Sequence, residues 1–119
     1  MTLASLLAQL LNGLAGASSL FLVAAGLTLI FGVSRVVNFA HGSLYMLGAY
    51  VAWTSVAWFG RGPLGFWGGV LLATLVVAAI GALVESLLLR RIYAAPELLQ
   101  LAATFGVVLI VRDLTLATW

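Results

Sequence analysis

Cysteine is absent from this chain of 119 residues, and charged side chains are scarce. The absence of cysteine excludes disulfides, thiol catalysis and cysteine-bound metal. Charged residues make up only 7% of the chain, whereas a soluble domain carries roughly a quarter. Because so few charges could not cover a water-exposed surface, and because 65% of the residues are hydrophobic, the composition predicts a membrane protein.

Lysine is also absent, so every basic residue is an arginine: Arg35, Arg61, Arg90, Arg91 and Arg112. The formal net charge of +2 gives no reason to expect a nucleic-acid partner. No basic residue precedes Arg35. A cleavable signal peptide needs a basic start and an apolar core of about 7–15 residues. The long uncharged N-terminal run therefore favours a membrane helix instead.

Four apolar segments predict an all-α polytopic bundle within a single membrane domain, residues 1–119. A helix needs about 20 apolar residues to cross the hydrocarbon core. Three segments reach that length, whereas Arg112 and Asp113 interrupt the fourth and predict a short or incomplete helix. The expected spans are residues 14–33, 38–59, 64–86 and 97–115. Basic residues favour the cytoplasmic side. The turns at Arg35 and at Arg90-Arg91 are therefore expected inside, and the N-terminus and the turn at Arg61 outside.

The stretch Val36–Tyr50 (VVNFAHGSLYMLGAY) holds the only histidine and an unusual cluster of polar residues. If this stretch is helical, one face carries residues spaced by three or four: Asn38, His41, Tyr45, Gly48 and Ala52. Polar groups at membrane depth usually line a cavity or a pathway. The alternative is that Asn38 and His41 only hydrogen-bond to backbone where the helix begins. Both interpretations stay open on the residues alone.

Enzyme chemistry is not expected, and no catalytic or metal-binding residue is predicted. The single histidine has no second histidine beside it, the three acidic residues lie in other segments, and the usual hydrolase, zinc and phosphate-loop motifs are missing. Glu85 is either an interfacial acid near Arg90 and Arg91 or a latch to another helix. Thr104 either bonds to its own helix, as threonine often does, or lines a pathway.

Small residues four positions apart allow transmembrane helices to approach closely. Four such pairs are present: Gly13 with Ala17, Gly48 with Ala52, Gly65 with Gly69, and Ala78 with Ala82.

The run GLTLIFGVSRVVNFAHGSLYMLGAYVA resembles the signature region of the ABC-type permeases for branched-chain amino acids. Shorter segments also resemble that family: Asn12-Gly13-Leu14, Glu85–Ala94 and Leu101–Asp113. Three departures concern ion pairing: Ser86 and Arg112 replace the family's common Arg and Gln, and the proline after Arg91 is missing. Such permeases are more than twice as long, so the chain resembles their N-terminal part.

The resemblance implies a multi-pass permease subunit of the bacterial inner membrane. Its expected partners are a second permease subunit, two ATPase subunits and a periplasmic substrate-binding protein. ATP would be hydrolysed on the ATPases, so no cofactor is expected on this chain. The pathway candidates are Asn38, Phe39, Ala40, His41, Gly42, Tyr45, Gly48 and Thr104. The cytoplasmic-turn candidates are Arg35, Glu85, Arg90 and Arg91. The alternatives are a urea or short-amide permease, or a small membrane anchor or assembly protein that does not transport.

Overall fold

The computed structural model describes residues 2–60 and 62–119, and these residues confirm the all-helical fold class. The chain divides into two compact units, Met1–Arg35 and Val36–Trp119. The first unit is a single helix, and the second contains three long helices.

Helix α1 (Leu3–Ser34) has 32 residues and is therefore about 48 Å long, longer than a bilayer core requires. Thr2 caps its start, since the Thr2 Oγ1 accepts a hydrogen bond from the Ser5 N–H at 3.3 Å. The helix ends where Arg35 adopts a left-handed conformation with φ of 55°. The Arg35 N–H then donates to the Phe31 carbonyl at 2.8 Å. Helix α1 therefore contains the expected span, residues 14–33, and extends beyond it at both ends.

Helices α2 (Ala40–Phe59) and α3 (Pro63–Ile92) form a tight antiparallel hairpin in the second unit. The turn contains Gly60, whose φ of 93° suits glycine. Pro63 opens α3, where its fixed φ favours helix. The small residues of α3 that face α2 are buried: Gly65, Gly69 and Ala73.

The contact between α2 and α3 leaves no room for larger side chains. A Cβ placed on Gly69 would lie 2.6 Å from the Val56 Cγ2. A Cβ on Gly48 would lie 3.4 Å from the Val77 Cγ2. Two of the four predicted small-residue pairs thus belong to this hairpin, whereas Ala78 and Ala82 are exposed.

Helix α3 (Pro63–Ile92) is regular up to Val84 and then widens into a π-helical segment, Glu85–Leu89. One short α-helical turn, Arg90–Ile92, follows. After a turn at Pro96 the chain enters α4 (Glu97–Thr118), which has 22 residues and packs against α2. Since α4 continues through Arg112 and Asp113, it is longer than the short helix that the sequence suggested.

Three helices of the described residues are long and apolar enough to cross a membrane: α1, α3 and α4. Helix α2 has 20 residues but is not among them. Its polar side chains, including His41, Ser43, Thr54 and Ser55, lower its hydropathy. The helix that packs against both α3 and α4 is therefore one that carries several uncharged polar side chains.

Candidate functional site

Asn38 forms the start of α2. Its side-chain Oδ1 accepts a hydrogen bond from the Ala40 N–H at 3.0 Å, and its carbonyl accepts one from the His41 N–H at 3.2 Å. These bonds occupy backbone donors that a helix start leaves without an intrahelical partner. Asn38 is buried, with 6% of its surface exposed, and Val36 and Ala40 are buried beside it. The geometry of Asn38 is that of a capping residue.

The other residues of the NFAHG motif differ in exposure. Ala40 is fully buried, His41 is half-buried, and Phe39 is 52% exposed. Gly42 is exposed, and a Cβ added there would meet nothing within 4 Å. The motif therefore exposes the Phe39 ring and Gly42, whereas Ala40, at the start of the helix, is buried.

The predicted polar face of α2 is divided by the fold. Tyr45 is 55% exposed. Gly48 lies against Val77 of α3, and the Ala52 carbonyl lies 3.4 Å from where a Cβ on Gly69 would be. The small-residue half of the face is thus occupied by α3, whereas the sequence interpretation placed it beside a cavity. At the other end of the face, Tyr45 is exposed and His41 is half-buried.

Thr104 lies on the buried face of α4 and has no exposed surface. Its Oγ1 donates within its own helix, to the carbonyls of Gln100 at 3.0 Å and Leu101 at 3.2 Å. Thr115, on the same face, likewise donates to the Val111 carbonyl at 2.7 Å. Because their hydroxyls are satisfied locally, both threonines present small apolar surfaces to the neighbouring helices.

The corner between α3 and α4 contains three of the four predicted cytoplasmic-turn residues, Glu85, Arg90 and Arg91, whereas Arg35 ends α1. Glu85 accepts a hydrogen bond from the Tyr93 hydroxyl across the π-helical segment. Arg90 and Arg91 are exposed. The carboxylate of Glu85 is therefore held by a tyrosine of the same corner.

Gln100, in the first turn of α4, also stabilises this corner. Its Nε2 donates to the carbonyls of Ile92 at 3.1 Å, Tyr93 at 3.2 Å and Ala95 at 3.0 Å. These carbonyls lie where α3 ends, and the last carbonyls of a helix have no intrahelical partner. Gln100 is buried. The first turn of α4 thus caps the end of α3.

Near the other end of α4, Trp119 joins it to α2. The Trp119 Nε1 donates to the Thr54 Oγ1 at 2.6 Å. Thr54 in turn donates to the Tyr50 carbonyl at 3.0 Å. The rings of Tyr50 and Trp119 lie with centroids 5.8 Å apart. Since Leu47 lies beside Val111–Thr118 and Thr54 beside Trp119, α2 and α4 run in the same direction.

Sequence reasoning missed Gln100, Thr54 and the contacts of Trp119. A signal for Gln100 was present, because an uncharged polar side chain in an apolar helix is costly without a partner. Trp119 offered no such signal, since interfacial anchoring explains a tryptophan equally well. The functional roles of the NFAHG residues, Tyr45, Gly48 and Thr104 stay predictions.

Three membrane-length helices, together with a polar second helix that packs against α3 and α4, define a multi-pass helical membrane protein. Residues 9–118 match the family model described as "Branched-chain amino acid transport system / permease component". The chain belongs to this family of transport permeases.

Curated relatives give the same assignment. The chain is 31% identical over 112 residues to the high-affinity branched-chain amino acid transport system permease protein BraD of Pseudomonas aeruginosa. It is 29% identical over 112 residues to the permease protein LivH of Escherichia coli, and 28% identical over 117 residues to LivH of Salmonella typhimurium. Each match covers 90% of this chain but 36% of the relative. The chain therefore spans about a third of the length of these relatives. No solved structure matches it.

Proposed function

We propose that this chain is the N-terminal part of the permease subunit of an ATP-driven importer for branched-chain amino acids. The observation that carries the proposal is the family match over residues 9–118, together with relatives named as branched-chain amino acid permeases. Helices α1, α3 and α4 supply membrane spans. The complete permease would offer alternating access, and separate ATPase subunits would hydrolyse ATP.

The proposed pathway runs along the exposed part of the NFAHG helix. His41 is half-buried and Tyr45 is exposed on this helix, and both side chains carry hydrogen-bonding groups. Such groups suit a hydrated path better than a lipid-facing surface. Asn38 contributes by fixing where α2 starts and hence the direction in which His41 points.

An uptake assay tests this function. The complete permease is expressed with its second permease subunit, its two ATPases and its periplasmic binding protein in a strain without leucine uptake. Labelled leucine should accumulate, and urea should not. His41→Ala should lower leucine uptake at an unchanged amount of permease in the membrane, while the control Trp58→Phe should not. Uptake of urea alone would replace the proposed substrate, and no uptake of either would contradict a transport role.

The proposed location is the bacterial inner membrane, with the N-terminus outside and the corner at Arg90-Arg91 in the cytoplasm. Because the chain lacks cysteine, single cysteines can report this orientation. Ser34→Cys should react with a membrane-impermeant thiol reagent only after the cells are opened, whereas Gly62→Cys should react in intact cells. The reverse pattern would invert the proposed topology.

A further inference from the structure

Two opposite charges stand next to each other on the exposed face of α4, Arg112 and Asp113. Helix α4 is one of the three membrane-length helices. With a rise of about 1.5 Å per residue, Arg112 lies about 22 Å beyond Glu97 and about 9 Å before Thr118. A hydrocarbon core is about 30 Å thick. Counted from Glu97, the pair therefore lies in the last third of a hydrocarbon core of that thickness.

The two side chains do not neutralise each other within the helix. Neighbouring positions point about 100° apart, and residues i and i+1 do not face each other. A long arginine can reach toward the interface, but the carboxylate of Asp113 is too close to its backbone to do so. A carboxylate at this depth is costly unless it faces water or a partner charge. This face of α4 is thus unsuited to lipid.

The residues around the pair are aliphatic. Leu109 and Leu116 lie one turn before and one turn after both charges, on the same face. They are 43% and 58% exposed. Val111 and Thr115, on the other face, are buried. The charged face is therefore separate from the surface that holds α4 in the bundle.

We propose that this face binds the head group of an aliphatic α-amino acid during transport. The Arg112 guanidinium pairs with the α-carboxylate, for which its fork of donors is suited, and the Asp113 carboxylate pairs with the α-ammonium group. Leu109 and Leu116 contact the aliphatic side chain. The inference rests on the proposed function, because that function supplies a substrate with both charges on one carbon.

Photolabelling of the assembled wild-type transporter tests the contact without any substitution. The probe is a leucine analogue with a diazirine in its side chain and both α groups intact. Irradiation during ATP-driven uptake should label the peptide that contains Leu109 and Leu116, and excess unlabelled leucine should suppress the label. Label confined to other helices, in a transporter that takes up leucine, would overturn the inference and assign this face to a helix or to lipid.

Substitutions separate this inference from the proposed function. Asp113→Asn and Arg112→Gln should each lower leucine uptake at least tenfold and abolish the label at an unchanged membrane level. Glu97→Gln removes a charge from the same helix outside the face and should change neither. Wild-type uptake that both variants retain would overturn the inference alone. A wild-type transporter that takes up no branched-chain amino acid would overturn the proposed function, and this inference with it.

Discussion

Replacing Gly69 by alanine puts a methyl group where α2 already lies. The new Cβ would be 2.6 Å from the Val56 Cγ2 and 3.0 Å from the Val56 backbone nitrogen. Valine is stiff about χ1, and the nitrogen belongs to a helix, so neither atom can yield cheaply. Inserting a methyl into a filled contact costs about 1–3 kcal/mol. We expect Gly69→Ala to lower the free energy of unfolding by about that amount.

Gly68 provides a matched control on the adjacent position of the same helix. A Cβ there would lie 3.8 Å from the Phe59 Cδ2, which is ordinary contact. Gly68→Ala makes the same chemical change without a clash, and it should leave stability unchanged or raise it by about 0.5–1 kcal/mol, because alanine favours a helix over glycine. Titration of the detergent-solubilised permease with SDS, followed by tryptophan fluorescence, measures both free energies.

A double substitution identifies the clashing group. Val56→Ala removes the methyl at 2.6 Å but leaves the backbone contact. The Val56→Ala/Gly69→Ala variant should therefore be more stable than the sum of the two single effects predicts, by about 0.5–3 kcal/mol. Equal stability of Gly69→Ala and Gly68→Ala, or strict additivity in the cycle, would refute close packing of α2 against α3 at this point.

Substitutions at three further contacts have expected outcomes. Asn38→Ala removes the cap from α2 and should cost about 1 kcal/mol in the same SDS titration, whereas Asn38→Asp keeps the accepting oxygen and should cost less; equal losses would contradict capping. Gln100→Leu removes the side-chain donor from the Tyr93 and Ala95 carbonyls, while the Ile92 carbonyl keeps the Ala95 N–H. It should cost about 1–3 kcal/mol, with faster proteolysis between residues 92 and 97 as the local readout. Trp119→Phe removes the bond to Thr54 and should cost about 0.6 kcal/mol; Thr54→Val should cost a similar amount, and the pair together no more than either alone.

The helices could be predicted from the sequence because their cause is local. A run of apolar residues at membrane length has few stable forms other than a helix, since every backbone group needs a partner. The ends of the helices were harder to predict than the helices themselves. Gly32 and the Arg112-Asp113 pair suggested interruptions, yet glycine and charged residues lower helix stability by only about 1 kcal/mol or less. Continuous backbone hydrogen bonding outweighs that cost.

Only part of the packing at the candidate site could be predicted from the sequence. The three-to-four spacing placed His41, Tyr45 and Gly48 on one face of α2, which a helix requires. That α3 would cover Gly48 depends on how α3 packs against α2, since the contact joins Gly48 to Val77, 29 positions further along the chain. The hydrogen bonds from Gln100 to the end of α3 likewise depend on the geometry of the corner. No periodic pattern in the sequence predicts that geometry.

The π-helical segment Glu85–Leu89 has a consequence for sequence alignment. A turn that bonds i to i+5 holds one residue more than an α-helical turn. A relative with a regular α3 would therefore need a one-residue gap at this point to keep Gly65–Ala73 and Arg90 aligned at the same time. Without that gap, an alignment cannot match both the α3 residues that face α2 and Arg90 to their counterparts in the relative. Departures such as Ser86 can thus arise from one extra residue, with no change in the chemistry of the corner.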